Sequence, residues 1–332
     1  MATDMSAGAS PLLSVRDLHV DFRVRGANAL PWTPMRTLRA VDGVSLDLHA
    51  GETLGVVGES GCGKSTLARA ILGLVPASAG SIRWFGEEMR GAPTAAWQKV
   101  RRQVQVVFQD PLASLDPRMN VAQIVAEPLR THEPHLSRQD MHRRAKAMLE
   151  RVGLAESQMS RYPHEFSGGQ CQRIGIARAL VLAPRVVVCD EPVSALDVTI
   201  QAQIVELLEA LQREMRLALV FIAHDLAVVR RLSRRVQVMY LGKTMEAAPG
   251  DALYRTPRHP YTQALLAAVP VPDPRVERAK DVPLLAGEPP SPLAPPSGCV
   301  FRSRCPHAFA RCVQAPPLKP AVDGSVVACW LA

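Results

Sequence analysis

A short glycine-rich stretch, residues 58–66, carries the residue types best suited to hold phosphate. It reads GESGCGKST and fits the pattern G-x-x-x-x-G-K-[ST], with an apolar strand predicted before it and a helix after it. Glycines here let backbone N–H groups wrap around phosphates. We expect Lys64 to neutralise β- and γ-phosphate oxygens and the Ser65 hydroxyl to bind Mg²⁺. The stretch therefore predicts a nucleotide-binding loop (the P-loop) made of Gly58, Glu59, Ser60, Gly61, Cys62, Gly63, Lys64, Ser65 and Thr66.

Four polar residues follow apolar runs that are predicted to be buried strands. Asp190 and Glu191 end the run VVVCDE, and adjacent carboxylates in such a place require a cation or a polar partner. We expect Asp190 to hold the Mg²⁺ shell and Glu191 to orient and polarise the attacking water. Gln109 and His224 end two further runs. Parallel α/β sheets place their sites at these strand ends, so the four residues form a candidate catalytic group, with Gln109 as a further Mg²⁺ ligand.

A second candidate anion site lies in residues 166–178, which read FSGGQCQRIGIAR. Paired glycines before an apolar, basic helix predict exposed N–H groups at the positive end of a helix dipole. One chain thus carries two phosphate-binding patterns, and the second needs its own explanation.

The strands and helices that would position these residues have clear periodicities. Residues 15–24 and 44–50 alternate as half-exposed antiparallel strands do. By contrast, residues 53–58, 104–109, 185–191 and 218–224 are continuous apolar runs, typical of strands covered by helices on both faces. Between them lie predicted helices, and the sequence therefore predicts an α/β fold. The helices are expected at residues 64–74, 140–154, 172–182 and 197–215.

Composition excludes several classes of protein. The 332 residues are 47% apolar and 21% charged, a globular mixture, and the apolar runs are far shorter than a membrane span. The net charge of +8 is spread along the chain and aromatic residues are only 5%, so we expect no nucleic-acid partner. The first residues lack the features of a secretory signal, and residues 1–13 are expected to be a disordered tail in a cytoplasmic protein.

The order of the motifs resembles that of the ATP-binding subunits of ABC transporters. In that family Gln109 corresponds to the Q-loop and His224 to the switch histidine. The resemblance narrows to the oligopeptide/dipeptide group on AVDGVSL, VGESGCGKSTLARAILGL, VFQDPLASLDPRM, RYPHEFSGGQ, DEPVSALDVTIQAQ and PRHPYTQALLAAVP. It assigns a signature motif to Ser167, Gly168, Gly169 and Gln170, and a D-loop to Ser194, Ala195, Leu196 and Asp197.

The resemblance implies a P-loop NTPase cassette with a RecA-like mixed sheet, an antiparallel β subdomain and a helical subdomain near residues 110–180. The cassette would occupy residues 14–255. A small irregular extension would follow at residues 256–332, with a proline-rich segment at 270–297. Nine prolines between Pro270 and Pro296 predict neither helix nor central strand there.

The same resemblance explains the two phosphate-binding patterns and implies the partners. Cassettes of this family pair head to tail, so the signature of one subunit would contact ATP held by the P-loop of the other. A second ATPase subunit, usually a different chain, two membrane permeases and an extracytoplasmic solute-binding protein are implied, at the cytoplasmic face of a bacterial inner membrane. The expected activity is ATP hydrolysis that drives peptide import, and residues 109–127 would receive the permeases.

Other readings of the function stay open at this stage. The same machinery in this group also moves nickel or glutathione. A soluble ABC ATPase of DNA repair or translation is disfavoured because the chain has one cassette and no long insertion. A degenerate, slowly hydrolysing cassette is disfavoured by the presence of Glu191 and His224.

Four of the seven cysteines lie in the last 34 residues, with five, six and sixteen residues between them. A reducing cytoplasm disfavours disulfides, and no C-x-x-C pair indicates a zinc ribbon. The resemblance implies a [4Fe–4S] cluster, with Zn²⁺ or unliganded thiols as the alternatives. The candidate ligands are Cys299, Cys305, Cys312 and Cys329.

Two positions depart from the family pattern. Cys171 follows the signature where many relatives have a basic residue, and the loss of charge is expected to weaken the second phosphate site modestly. The adenine-stacking aromatic has no clear equivalent, and Trp32 is the candidate.

Overall fold

The structure is a computed structural model that describes residues 10–25, 34–270, 273–279, 287–321 and 323–332. Trp32 and most of the predicted N-terminal tail lie outside these ranges. The prediction of a disordered tail up to residue 13 is wrong at its end, because Leu12 and Leu13 are buried and Leu13 begins the first strand. The strands are β1 Leu13–Val24, β2 Arg36–Leu48, β3 Thr53–Val57, β4 Ala79–Trp84, β5 Glu87–Glu88, β6 Val104–Val107, β7 Val186–Asp190, β8 Ala218–Ala223, β9 Arg235–Tyr240, β10 Lys243–Pro249, β11 Lys319–Pro320 and β12 Val326–Val327. The α-helices are α1 Lys64–Ile71, α2 Thr94–Gln103, α3 Val121–His132, α4 Arg138–Arg151, α5 Gly168–Leu180, α6 Val198–Met215, α7 Leu226–Leu232, α8 Gly250–Arg255, α9 Pro260–Ala267 and α10 Pro274–Ala279.

The described residues form two compact units. The first unit contains Leu48–Thr53 and Gly91–Ala223, and the second contains Ser10–Asp47, Leu54–Arg90 and His224–Ala332.

Three parallel strands form the sheet of the first unit, with β7 between β6 and β8. Val186 is in register with both Val104 and Ala218. Every residue of β7 and β8 is buried, as their continuous apolar sequences predict. In β6 only Val104 and Val107 are fully buried.

Helices α3, α4 and α5 contact one another in the first unit. The side chain of Asn120 caps α3 in a capping box with Gln123, and Ser137 caps α4. Helix α3 lies within the helical subdomain expected near residues 110–180, although the sequence periodicity did not predict it as an individual helix. Its apolar side, which includes Ile124, Val125 and Leu129, is buried.

The second unit contains two sheet regions. Strand β1 pairs antiparallel with β4, and β4 pairs with β5, which fits the predicted half-exposed sheet. Strand β3 pairs parallel with β9, which continues antiparallel into β10. Short strands of the C-terminal extension complete this edge, because β12 pairs with both β10 and β11. The extension is therefore joined to the cassette by backbone hydrogen bonds.

The proline-rich segment differs from the prediction in one place. Residues 274–279 form the short helix α10, which begins at Pro274. Proline is well tolerated in the first turn of a helix, since its missing N–H would have no partner there in any case. The prediction of no helix between Pro270 and Pro296 is therefore wrong at this position.

Within the described ranges, no helix combines the length and the apolar character that a membrane span requires.

Candidate functional site

The P-loop connects β3 to α1 in the second unit, and its glycines are required by the backbone. Gly58 has φ 155° and Gly63 has φ 105°. A Cβ atom on Gly58 would lie 2.2 Å from the carbonyl oxygen of Met239, and one on Gly63 would lie 2.2 Å from that of Ala40. Both positions therefore exclude any side chain, and the loop turns tightly into the helix.

Lys64 is the first residue of α1 and is only 3% exposed. Its Nζ donates hydrogen bonds to the carbonyl oxygens of Gly58 at 2.9 Å and Glu59 at 3.0 Å. Burial raises the pKa of the neighbouring Cys62 thiol, which therefore stays neutral at pH 7. Ser65 and Thr66 are half-buried at the start of α1, whereas Ser60 and Gly61 are exposed at the tip of the loop.

Glu59 has contacts that the sequence analysis missed. Arg304 donates to the Glu59 carboxylate, and the backbone N–H of Glu59 donates to the hydroxyl of Tyr261. Both partners belong to the extension, more than 200 residues away in sequence, so no local pattern indicated them.

The structure brings Gln109, Asp190 and Glu191 together at the ends of β6 and β7 in the first unit. Asp190 is the last residue of β7 and is 4% exposed. The Gln109 Nε2 group donates to Glu191 Oε2 at 3.2 Å. Glu191 has φ 48°, a left-handed conformation that is costly for a residue with a side chain. Its N–H donates to the carbonyl of Ile222 at 3.0 Å, which holds that conformation.

His224 directly follows β8 and its side chain is exposed. His224 belongs to the second unit.

The signature motif forms the start of α5, as its sequence predicts. Ser167 is the N-cap, and it forms a capping box with Gln170. A Cβ atom on Gly169 would lie 2.5 Å from Ile200, whereas Gly168 has ordinary contact distance to Leu196. The exposed Ser167 thus lies at a helix N-terminus whose dipole favours an anion.

Cys171 lies in the first turn of α5, where it is 1% exposed, and its Sγ contacts the carbonyl oxygen of Pro163 at 3.5 Å. Burial raises the pKa of this thiol. The Cys171 side chain therefore faces the interior, and the expected weakening of the second phosphate site by the loss of a charge stays a prediction.

The D-loop residues link Glu191 to α6. The Ser194 hydroxyl donates to the carbonyl oxygen of Glu191 at 3.1 Å, and Asp197 caps α6 by accepting from the Ile200 N–H at 3.0 Å. Ala195 is exposed and Leu196 half-buried between them. Gly168 lies next to Leu196 of the D-loop, and Gly169 lies next to Ile200 in the first turn of α6. The signature therefore packs against the D-loop and the start of α6.

The four tail cysteines line one small cavity of about 20 Å³, together with His259, Phe301 and Trp330. All seven cysteines of the chain are free thiols. Burial raises the pKa of Cys299, and the other three cysteines add to this effect. Four soft sulfur donors around one apolar cavity suit iron–sulfur or zinc chemistry. However, the cavity is large enough for only about one water. In the described part of the chain, no group of side chains has the arrangement of a metal site.

A glycine-rich loop that holds a buried lysine, and a carboxylate pair that ends a buried strand, together define a P-loop nucleotide-binding cassette. Residues 41–194 match the ABC transporter family, and residues 245–312 match the oligopeptide/dipeptide transporter C-terminal region. The oligopeptide transport ATP-binding protein OppF of Salmonella typhimurium is 59% identical over 314 residues, 95% of this chain and 93% of that protein. OppF of Escherichia coli is 57% identical over 321 residues, 97% and 95% of the two chains.

A solved dimeric structure of the ATP-binding cassette MJ0796, in a post-hydrolysis state bound to ADP and Pi, matches with a TM-score of 0.63 at 26% identity. The match covers 71% of this chain and 98% of that one. The chain belongs to the ABC transporter family of ATP-binding proteins, in the group that carries the oligopeptide/dipeptide transporter C-terminal region.

These likenesses confirm the predicted family, the cassette fold and an ATPase activity coupled to transport. The roles of individual residues, and the exact domain boundaries, stay predictions.

Proposed function

We propose that this chain is the ATP-hydrolysing subunit that energises peptide import, through closure of a cassette dimer on ATP. The observation that carries the proposal is the identity of 59% to an oligopeptide transport ATP-binding protein over 95% of the chain. That likeness includes the extension as well as the cassette, since residues 245–312 match the corresponding C-terminal region.

The P-loop would bind the phosphates of ATP, and the Glu191 carboxylate would activate the attacking water. Backbone N–H groups of the P-loop and Lys64 bind the phosphates, and the lysine exchanges its present carbonyl partners for phosphate oxygens. Glu191 orients the attacking water, and its contact with Gln109 holds the carboxylate in one direction. His224 is the second catalytic residue.

Oxygen ligands for Mg²⁺ are available among the predicted residues. The Ser65 hydroxyl, the buried Asp190 carboxylate and the Gln109 side chain are the hard ligands that this cation prefers. Because the Gln109 amide nitrogen donates to Glu191, its carbonyl oxygen is the group suited to a cation. Bound Mg²⁺ would neutralise charge on the phosphates.

The signature would act on the ATP of the partner subunit. Support comes from the exposure of Ser167 at the dipole-positive end of α5, and from the dimeric form in which the related MJ0796 cassette was solved. Ser167, Gly168, Gly169 and Gln170 would complete a site whose P-loop belongs to the other chain. The partner ATPase subunit would be a different chain.

A cleft in the first unit offers a surface for the membrane permeases. It has a volume of about 950 Å³ and is lined by residues of α3 and α4 and by residues 156–160. Its lining includes Asn120 and Gln123, which lie within the predicted docking segment 109–127. We propose that two permeases bind here, at the cytoplasmic face of a bacterial inner membrane, with a solute-binding protein on the other side and no nucleic acid.

The cavity between the tail cysteines now has room for about one water, so it must widen for the [4Fe–4S] cluster that we propose they hold and for which their sulfur donors are suited. Anaerobically purified protein should contain iron and acid-labile sulfide. Serine substitution of Cys299, Cys305, Cys312 or Cys329 should remove both, whereas Cys171→Ser, at a buried cysteine outside the tail, should leave them unchanged. Stoichiometric zinc without iron, or protein free of both metals, would contradict the cluster.

Transport can be tested in a strain that lacks this gene. Uptake of a labelled dipeptide, a longer peptide, glutathione and Ni²⁺ would be compared after complementation with wild type or with Glu191→Gln. We expect the wild type alone to restore peptide uptake. Restoration of Ni²⁺ or glutathione uptake without peptides would identify another cargo, and no restored uptake would favour an ATPase outside transport.

A further inference from the structure

The C-terminal extension contacts the P-loop directly through Glu59. The Arg304 Nη1 group donates to both carboxylate oxygens of Glu59, at 2.9 and 2.8 Å. The backbone N–H of Glu59 donates to the Tyr261 hydroxyl at 2.9 Å. One residue of the loop is thus held by its side chain and by its backbone, in both cases by the extension.

The two anchoring side chains are themselves fixed. Tyr261 is fully buried, with its ring 4.8 Å from that of Tyr240 and 5.3 Å from that of Phe301. Burial raises the pKa of Tyr261 far above neutrality, so the hydroxyl stays protonated. Arg304 is 8% exposed, and its Nη1 also reaches the Tyr240 hydroxyl at 3.4 Å. Burial opposes the charge of Arg304, but its hydrogen bonds to Glu59 and Tyr240 outweigh this and raise its pKa.

Glu59 connects these anchors to the phosphate-binding lysine. Its carbonyl oxygen accepts from Lys64 Nζ at 3.0 Å, while its N–H and carboxylate are held by the extension. A loop whose N–H groups must point at phosphate loses less freedom on binding when its backbone is already fixed. The contacts therefore lie where they can preorganise the nucleotide site.

We infer that Tyr261 and Arg304 are positioning residues for the P-loop, so that the extension sets the affinity of the cassette for ATP. The inference rests on the proposed function, because it assumes that ATP binds at this loop. A purely structural role predicts a different result, in which substitutions lower stability and leave the affinity of the folded protein unchanged.

Two conservative substitutions test the inference on the full chain. Tyr261→Phe keeps the ring packing and removes the acceptor of the Glu59 N–H, and Arg304→Gln removes the ion pair. We expect each to weaken binding of ATP about tenfold, as the loss of a partner by a buried polar group would do. Arg304→Lys should restore part of the affinity. Binding would be titrated with a fluorescent ATP analogue, and melting temperatures measured without nucleotide.

Matched controls come from the same unit. Tyr254→Phe removes a half-buried hydroxyl that donates to the Leu226 carbonyl, and Arg258→Gln removes an ion pair with Asp323 in the extension. Neither contacts the P-loop, and both should leave ATP affinity unchanged.

A double substitution keeps the test decisive if Arg304→Gln alone destabilises the fold. Glu59→Gln with Arg304→Gln removes both charges, and it should weaken ATP binding to about the level of the worse of the two single variants Glu59→Gln and Arg304→Gln, because both act through one contact. Unchanged affinity in Tyr261→Phe and in the double variant would overturn the inference. Absence of ATP binding by the wild type would instead overturn the proposed function.

Discussion

The P-loop and the region that carries Glu191 and the signature differ in burial: the P-loop lysine is buried and anchored, whereas the signature serine is exposed. In the P-loop, Lys64 is buried on loop carbonyls and Glu59 is held from two directions by the extension. In the other region, Glu191 accepts a hydrogen bond from the Gln109 side chain, and Ser167 is exposed at a helix N-terminus. Of the two regions, the loop is preorganised within the subunit.

This difference fits a division of labour. A loop that binds ATP before the dimer closes needs its geometry in advance, whereas groups that act only after closure can face outward until a partner arrives. The comparison predicts that substitutions in the two regions separate ATP binding from turnover.

The largest expected effect is on turnover alone. Glu191→Gln keeps the size of the side chain but cannot polarise water, so the ATPase rate should fall about 10²–10⁴-fold. ATP affinity should stay within about twofold of wild type, since the P-loop is untouched. Steady-state phosphate release and nucleotide titration would measure the two. Glu214→Gln, on an exposed ion pair with Arg151, is the control, and a near wild-type rate in Glu191→Gln would refute the assignment.

The next effect should fall on binding. Gly63→Ala places a Cβ atom 2.2 Å from the Ala40 carbonyl oxygen at a φ of 105°, so the loop must move. We expect a loss of roughly 2–4 kcal/mol in stability, together with loss of measurable ATP affinity. Gly91 also has a positive φ, but it has open space around it. Gly91→Ala therefore measures the cost of backbone strain without a steric clash. Equal effects of the two substitutions would show that the close approach is unimportant.

A smaller effect is expected on ATP turnover at the partner subunit's P-loop. Ser167→Ala removes the hydroxyl and the cap of α5, and turnover at the partner's P-loop should fall roughly tenfold or more, since a hydrogen bond to a charged phosphate contributes about 1.5–3 kcal/mol. Assembled complexes with one intact P-loop would locate the loss. Ser137→Ala removes the equivalent cap of α4 and should leave turnover unchanged. Equal losses at both P-loops after Ser167→Ala would contradict action on the partner's ATP.

The smallest expected effect is on the stability of the first unit, which carries the signature. Glu133 is 8% exposed and pairs with Arg102 at 2.7 Å and Arg144 at 2.6 Å. Burial opposes its charge, but the arginines outweigh burial and hold its pKa below the usual 4.5. Its stabilisation is therefore present above pH 4.5 and is lost as the pH falls through the lowered pKa.

Glu133→Gln should accordingly cost about 1–3 kcal/mol at pH 7, and this difference from wild type should close in acid. Chemical denaturation at several pH values would measure it, with Glu156→Gln on an exposed pair with Lys146 as the control. A difference that persists below the lowered pKa would show that the ion pair is not its source.

Local sequence predicted the parts of the molecule whose signals are local. The buried strands β3, β7 and β8 follow from continuous apolar runs, and the start of α5 follows from the serine and paired glycines. Helix α10 had a readable signal in Pro274 at its first position, which the density of prolines obscured. The burial of Cys171 also had a signal, its spacing of three from the buried Ile174.

The anchoring of Glu59 could not be predicted in this way. Its partners Tyr261 and Arg304 are 202 and 245 residues distant, and an ion pair across such a separation leaves no periodicity or motif. Only the folded extension brings them to the loop.

That separation has a consequence for the growing polypeptide. Glu59 emerges from the ribosome long before Tyr261 and Arg304, so a nascent chain that already contains every cassette motif still lacks the anchors of its P-loop. The nucleotide site matures only when the extension has been translated and folded onto it. A nonsense mutation after residue 255 would therefore produce a chain with an intact set of motifs and an unfinished site for ATP.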